Sequence, residues 1–213
     1  MLAINKILNR GDTLIEVLFA ISIFSLVVVG SISIMNQGVN ASQRSLEITL
    51  VRNEIDAQAE ALRFMNASYV SAYKPEYTIE RYPVDTPAGQ WVKMSSSIGI
   101  NSDVSSFGAA SKCEIPSSPY TPFIINPYLA KFVTAADAIF RPATTFSKIE
   151  YNDDLSIIST NWVWVEATKS NNVEDKNSDY IDFHIRACWN AAGQKNPATI
   201  GTIVRLYEPK PKS

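Results

Sequence analysis

The first candidate for chemistry is Glu16, a carboxylate at the start of an apolar run. Residues 17–43 contain no charged side chain, and residues 17–35 are mostly Val, Ile, Leu, Phe, Ala and Met. A charge inside a membrane-spanning segment costs about 3 kcal/mol near the centre and less near the edge, where Glu16 would lie. Such a group is a functional candidate by default, so we treat Glu16 as the leading one.

A nucleophilic pair can be drawn from Cys188 and His184, the only histidine of the chain. A Cys–His pair must lie within hydrogen-bond reach, whereas four residues along a strand separate two side chains by about 13 Å. We therefore predict that the protein is not an enzyme. We expect Asp182 instead to form a surface ion pair with Arg186 or to stack on His184.

The two cysteines, Cys113 and Cys188, allow a single disulfide. The loop that it would close is long, so the chain-entropy estimate gives about 4 kcal/mol of stabilisation. The alternative is that both are buried free thiols. We favour the disulfide.

An acidic loop at residues 171–179 offers oxygen ligands of the type that calcium takes, with Glu174, Asp175 and Asp179 as weak candidates. The loop lacks the glycine and spacing of an EF-hand. A solvated acidic turn is the favoured interpretation, so no cofactor is predicted and calcium is a minor alternative.

The apolar run is long enough to span a bilayer. Lys6 and Arg10 precede it, while Arg44 is the first charge after it, and this basic bias places the amino end in the cytoplasm. The sequence thus predicts a single-pass plasma-membrane protein with an extracytoplasmic head, where disulfides persist.

Two other interpretations of the amino end stay open. A secretory signal cleaved near residues 39–41 has suitable small residues, but its apolar core would exceed the usual length of about 7 to 15 residues. A simple uncleaved anchor explains the length of the run but gives Glu16 no role.

Helical periodicity continues beyond the apolar run, and we predict one helix from about Thr13 to Phe64. Its second half is amphipathic, and a coiled coil is disfavoured because the repeat is short. One face carries Ile48, Val51, Ile55, Leu62 and Met65.

The remainder reads as a connecting region followed by a sheet. Residues 66–122 are rich in Tyr, Pro, Ser and Gly, with a short element at residues 90–94. Residues 180–189 alternate strictly, as a half-buried strand does. Strands are predicted at residues 123–126, 145–151, 161–168, 180–189 and 200–207. Short links between them predict an antiparallel meander, and the fold class is α+β, a long amino-terminal helix packed on a carboxy-terminal antiparallel sheet.

Bulk composition fits a membrane segment with one modest folded domain. The chain has 213 residues, 46% hydrophobic and 19% charged, with a formal charge of -2. The absence of a basic surplus disfavours a broad electrostatic contact with nucleic acid, although a local basic patch is compatible with it.

Residues 11–20, preceded by the basic leader of residues 1–10, resemble the class III leader of type IV pilins and pseudopilins. That family shares a Gly followed by Phe-Thr-Leu-Ile-Glu, and this chain has Gly11, Asp12, Thr13, Leu14, Ile15 and Glu16. The resemblance implies cleavage after Gly11 by a prepilin peptidase and N-methylation at Asp12. It also implies that Glu16 meets the amino terminus of a neighbouring subunit during assembly.

The chain departs from the family pattern at two positions. Asp12 stands where Phe is usual, and an acid there would partly neutralise the new amino terminus within its own subunit. Ser33 stands where many pilins have a helix-breaking Pro. Gly30 and Gly38 are then the expected sites of bending, since Gly weakens a helix by about 1 kcal/mol relative to Ala.

The resemblance implies a minor pilin or pseudopilin of a type IV pilus, a type II secretion system or a DNA-uptake filament. Its partners would be other pilin subunits, the prepilin peptidase and the inner-membrane assembly platform, and its final location an extracellular filament. The implied segments are leader 1–11, transmembrane helix 12–37, amphipathic helix 38–65, variable region 66–122 and sheet 123–213. The rival is a signal-anchored extracytoplasmic binding or adhesin domain without a filament role.

Overall fold

The structure is a computed structural model that describes residues 12–74, 76, 81–97, 113, 122–134, 139–169, 178–191 and 193–209. The chain divides into two compact units, Met1–Ser45 and Leu46–Ser213. The described residues form the helices α1 (Asp12–Ala72) and α2 (Pro87–Ser97) and the strands β1 (Phe123–Asn126), β2 (Lys131–Thr134), β3 (Ile139–Arg141), β4 (Lys148–Tyr151), β5 (Ile157–Asn161), β6 (Val163–Lys169), β7 (Ser178–Trp189) and β8 (Ala198–Pro209).

Helix α1 is 61 residues long and ends at Ala72, eight residues beyond the predicted end at Phe64. Residues 65–72 contain no Gly or Pro that would stop a helix, and Met65 and Tyr69 pack in the core. The predicted apolar face is confirmed by the burial of Val51, Ile55, Leu62 and Met65, with Ile48 packed against them.

A five-stranded antiparallel sheet, in the order β2-β1-β6-β7-β8, packs against this part of α1. The buried face predicted for β7 is confirmed, although His184 and Cys188 on the opposite face are buried as well. The side chains of one face are at most 1% exposed, namely Ile181, Phe183, Ile185, Ala187 and Trp189. The α+β fold with a long amino-terminal helix and an antiparallel sheet is therefore confirmed.

The prediction of a single meander is wrong outside β6, β7 and β8. Strands β2, β3 and β5 were not predicted, and β3, β5 and β4 form a separate three-stranded sheet in which β3 and β5 are parallel. These strands are only three to five residues long, too short for a clear alternation signal.

Trp162 marks the point at which the chain passes from one sheet to the other. It lies between β5 and β6 with φ at 49°, an unusual value for a bulky residue. Its N–H donates to Arg141 O at 2.9 Å, and its carbonyl accepts from Cys188 N at 3.1 Å. One residue thus joins both sheets, whereas the sequence predicted a single strand over residues 161–168.

Helix α2 lies where the sequence predicted only a short element. Thr86 caps its start by accepting a hydrogen bond from Gly89 N at 3.1 Å, and Pro87 occupies the first helical position. Gly89 is required for packing, because a Cβ there would come within 2.0 Å of the Pro83 carbonyl oxygen.

Two polar contacts hold α2 on the sheet. Trp91 Nε1 donates to Glu208 Oε1 at 2.8 Å, and Phe132 N donates to Gln90 Oε1 at 2.9 Å. Lys169 completes the first contact by donating to the other oxygen of Glu208 at 2.8 Å. The buried carboxylate of Glu208 is thus hydrogen-bonded at both oxygens.

Candidate functional site

Glu16 lies on the second turn of α1 and is exposed. Asp12 is the first residue of the helix, so positions 12 and 16 are about one turn, or 6 Å, apart along its axis. Gly11 and the leader, on which the cleavage prediction depends, lie outside the described residues. The predicted mature start and the predicted assembly residue therefore lie one turn apart on the same helix.

The residues that follow Glu16 form an exposed apolar surface. All residues from Leu14 to Leu46 are exposed, and the large apolar ones range from 38% for Val28 to 75% for Leu26. Within the described residues, this is the one helix long and apolar enough to cross a membrane, as a single span or a signal anchor. A continuous apolar surface of this size indicates contact with lipid or another protein.

Three serines inside the apolar run are hydrogen-bonded within the helix itself. The hydroxyls of Ser22, Ser25 and Ser31 each donate at 2.8 Å to the carbonyl four residues earlier. Hydroxyls bonded in this way suit an environment without water. The backbone is helical through Gly30 and Gly38, so it shows no break at the two positions where we expected bending.

The predicted disulfide is confirmed. Cys113 and Cys188 are bonded, with their Cα atoms 5.5 Å apart, and both residues are buried beside Trp164. The alternative of two free thiols is wrong. Cys188 consequently has no thiolate with which it could act as a nucleophile beside His184.

Beside the disulfide, Glu166 of β6 lies directly opposite His184 of β7. Both side chains are buried, and Trp164 Nε1 donates to Glu166 Oε1 at 2.6 Å, while Oε2 has no hydrogen-bond partner. Burial raises the pKa of Glu166. Burial also lowers the pKa of His184, and the nearby Arg186 lowers it further. Both groups are thus shifted toward their neutral forms.

The expected ion pair of Asp182 with Arg186 is wrong. Asp182 pairs instead with Arg205 of β8, which donates through Nε and Nη2 at 2.7 Å each. These two residues are opposite each other in the ladder, whereas Arg186 is four residues away along the strand, or about 13 Å. The Arg205 guanidinium also stacks at 4.0 Å from the ring centre of Tyr180.

The calcium candidates do not form a described site. Glu174 and Asp175 lie outside the described residues, and Asp179 lies in β7 opposite Glu208. In the described part of the chain, no three His, Cys, Asp or Glu side chains are grouped to hold a metal ion.

No protein-family model, curated protein or solved structure matches this chain. The function must therefore be argued from its own residues and geometry.

Proposed function

We propose that this chain is a minor pilin or pseudopilin, a structural subunit of a type IV pilus or of a related type II secretion or DNA-uptake filament. The observation that supports the proposal is the exposed apolar part of α1, with Glu16 in its second turn. A subunit that leaves a membrane for a filament needs such a surface in both places.

The apolar surface of α1 serves first as an anchor and then as an assembly surface. In the membrane, lipid chains cover the large side chains between Leu14 and Met35. In a filament, the same side chains pack against equivalent helices of neighbouring subunits. Because both surroundings are apolar, the transfer changes the partner of the surface without exposing it to water, and close packing and polar contacts then favour association.

Glu16 supplies the polar contact in this scheme. Prepilin peptidase cleaves after Gly11, and the new ammonium group at position 12 of one subunit meets the Glu16 carboxylate of another. Opposite charges attract far more strongly in an apolar environment than in water. A subunit that fails to make the pair leaves a buried charge unpaired, so the contact also fixes the register between helices.

Asp12 modifies this contact. After cleavage, Asp12 would carry both the new ammonium group and its own side-chain carboxylate. This carboxylate therefore competes with the Glu16 of a neighbouring subunit for the ammonium group. We infer a weaker intersubunit pair than in a subunit with an apolar first residue, which suits a subunit used in few copies.

The basic leader places the amino end in the cytoplasm and the disulfide-linked head outside. Before assembly, the protein is then a single-pass plasma-membrane protein whose partners are prepilin peptidase and the inner-membrane assembly platform. Afterwards, its partners are other pilin subunits of an extracellular filament.

The mature amino terminus of the membrane-extracted protein tests the proposal. Co-expression with a prepilin peptidase followed by intact-mass and amino-terminal peptide mass spectrometry is expected to give N-methylated Asp12. A matched Gly11→Leu variant should retain the full leader. A mature start near Ser42, or an intact leader despite active peptidase, would instead support a secreted or signal-anchored binding domain.

A further inference from the structure

A cavity of about 250 Å³ lies where α2, the hairpin of β1 and β2, and the start of β5 meet. Two lysines line it, Lys93 from the helix and Lys131 from the first position of β2. Two uncharged polar residues also line it, Asn126 at the end of β1 and Ser156 just before β5. Among the described residues, no acidic side chain contributes to its walls. The charge that borders this cavity is therefore positive.

One hydrogen bond between α2 and β2 fixes the places of both lysines. Phe132 N donates to Gln90 Oε1 at 2.9 Å. Lys93 follows Gln90 by about one helical turn and so lies on the same side of α2, while Lys131 directly precedes Phe132. The packing of the two elements therefore brings the lysines to one cavity, independently of the conformation of their own flexible side chains.

The two ammonium groups have no counter-ion within the described part of the chain. Lys148 and Lys169 differ in this respect, because they pair with Glu150 and Glu208. Like charges at one cavity repel each other, and an anion between them relieves the repulsion.

The acid closest to the cavity-lining Ser156 in the chain is engaged elsewhere. Asp154 Oδ1 accepts hydrogen bonds from Ser156 N at 3.0 Å and from Ser156 Oγ at 2.7 Å. These bonds hold the Asp154 carboxylate in the turn between β4 and β5. It forms no ion pair with either lysine of the cavity.

Asn126 adds a buried hydrogen-bond donor to the cavity. The residue is only 2% exposed. Its Oδ1 accepts from Tyr128 N at 3.1 Å and from Leu129 N at 3.2 Å, and its Nδ2 donates to Leu155 O at 2.7 Å. These bonds fix the side-chain amide. An amide nitrogen carries two N–H groups, so Nδ2 retains one donor that no described acceptor takes.

The other walls of the cavity are apolar, so its lining has a cationic part and an apolar part. The apolar lining residues are Leu129, Phe132, Val133 and Ile157. β2 is also an edge strand of its sheet, where a lysine commonly blocks pairing with other chains. Edge protection explains Lys131 but gives no reason for Lys93, which lies on a helix.

We propose that this cavity binds a phosphomonoester with a small organic body. Such a group carries about 1.5 to 2 negative charges at pH 7 and three acceptor oxygens. Lys93 and Lys131 match the charge, and together with Asn126 Nδ2 they supply three donors. A carboxylate, with one charge and two oxygens, matches this set less well.

The volume agrees with a ligand larger than free phosphate. An apolar cavity of about 150 Å³ accommodates a benzene ring, so about 250 Å³ has room for a phosphate group and a body of a few carbon atoms. The apolar walls contact this body while the lysines and Asn126 hold the phosphate.

Calorimetric titration of the full-length chain in a non-ionic detergent tests the proposal, with glycerol 3-phosphate as the probe. Low ionic strength is needed because salt screens exposed charges. We expect saturable binding at a single site. Glycerate, which has a three-carbon body and a carboxylate in place of the phosphate, should bind at least tenfold more weakly.

Substitution of each lysine identifies the site. Lys93→Gln and Lys131→Gln should each lower the affinity for glycerol 3-phosphate at least tenfold, because each removes a charge-assisted hydrogen bond. Lys93→Arg and Lys131→Arg keep the charge and should retain most of the binding. Lys195→Gln is the matched control, since this exposed lysine lies in the connection between β7 and β8 and does not line the cavity.

A phosphomonoester can come from a soluble molecule or from a lipid headgroup, and a second titration distinguishes these sources. The chain is placed in phosphatidylcholine vesicles that contain either phosphatidic acid, a phosphomonoester lipid, or phosphatidylglycerol, a phosphodiester lipid. Loss of glycerol 3-phosphate binding only with phosphatidic acid would support the site with a lipid as its source. Equal binding in both vesicles would support the site with a soluble source.

Three results would overturn the proposal, whatever the mature amino terminus is. The first is the absence of saturable binding of glycerol 3-phosphate to the wild type. The second is equal binding of glycerate and glycerol 3-phosphate. The third is an affinity unchanged by Lys93→Gln and Lys131→Gln, or lowered equally by Lys195→Gln.

Discussion

Gln58 of α1 and Ile125 of β1 are joined by two hydrogen bonds. Gln58 Nε2 donates to Ile125 O at 2.7 Å, and Ile125 N donates to Gln58 Oε1 at 2.8 Å. β1 pairs with β6 only where Phe123 faces Val165, so the neighbouring strand does not reach Ile125. A helix side chain thus completes the sheet where a strand is missing.

Loss of this contact should destabilise the head. Gln58→Leu keeps the size of the side chain but leaves the buried N–H and C=O of Ile125 unpaired, which we expect to lower the free energy of unfolding by about 2 to 4 kcal/mol. Urea denaturation of the detergent-solubilised full chain, followed by tryptophan fluorescence, measures it. Gln43→Leu, at an exposed position of the same helix, is the control. Equal midpoints for the two variants would contradict the prediction.

The disulfide should contribute strongly to stability. Cys113 and Cys188 are separated by 75 residues, so the chain-entropy estimate predicts that replacing both with alanine lowers the free energy of unfolding by about 4 kcal/mol. Urea midpoints of the double variant and the oxidised wild type test this. Because the backbone hydrogen bonds that join β6, β7 and β8 do not depend on the disulfide, we expect the same far-ultraviolet circular dichroism. A change below 1 kcal/mol would show that the disulfide does not constrain the unfolded chain in this way.

Glu166 and His184 should have opposite effects on the pH dependence of stability. The pKa of Glu166 is raised above its ordinary value of 4.5, so the folded state holds this proton more tightly than the unfolded state. Its contribution to stability is present at low pH and is lost as the pH rises through the raised value. Glu166→Gln should therefore be less destabilised than the wild type as the pH rises above 4.5.

The pKa of His184 is lowered below its ordinary value of 6.5, so the unfolded state binds this proton more tightly. Its contribution is present above pH 6.5 and is lost as the pH falls through the lowered value. His184→Gln should then lose less stability on acidification. Urea midpoints at several pH values between 4 and 8 measure the stability of both variants. If the midpoint of a variant changes with pH as the wild-type midpoint does, the pKa shift of that residue is refuted as a source of pH-dependent stability.

Glu16→Ala should separate processing from assembly. The peptidase acts at Gly11, so we expect normal cleavage and N-methylation, while recovery in sheared filaments falls at least tenfold because the neighbour's ammonium group loses its partner. Immunoblots of sheared and membrane fractions measure both steps.

Glu60→Ala is the matched control for that experiment. Glu60 is an exposed acid of the same helix that makes only a surface pair with Arg63, and such a pair contributes less than about 1 kcal/mol. Normal filament recovery with Glu16→Ala, or an equal loss with Glu60→Ala, would remove Glu16 from the mechanism.

The sequence alone determined the features that depend on local pattern. The apolar run, the buried face of α1 and the buried face of β7 follow from the local pattern of residue types, and each was found where it was predicted. With only two cysteines, the disulfide had one possible connectivity.

Only the tertiary structure decided the features that join distant parts of the chain. The short strands carry too few residues for a periodic signal, and the positive φ of Trp162 interrupts a run that reads as one strand. The pairing of Asp182 with Arg205 and the contact of Gln58 with Ile125 depend on the register between elements. The register is set by the packing of the whole core, so a local pattern of residue types does not contain it.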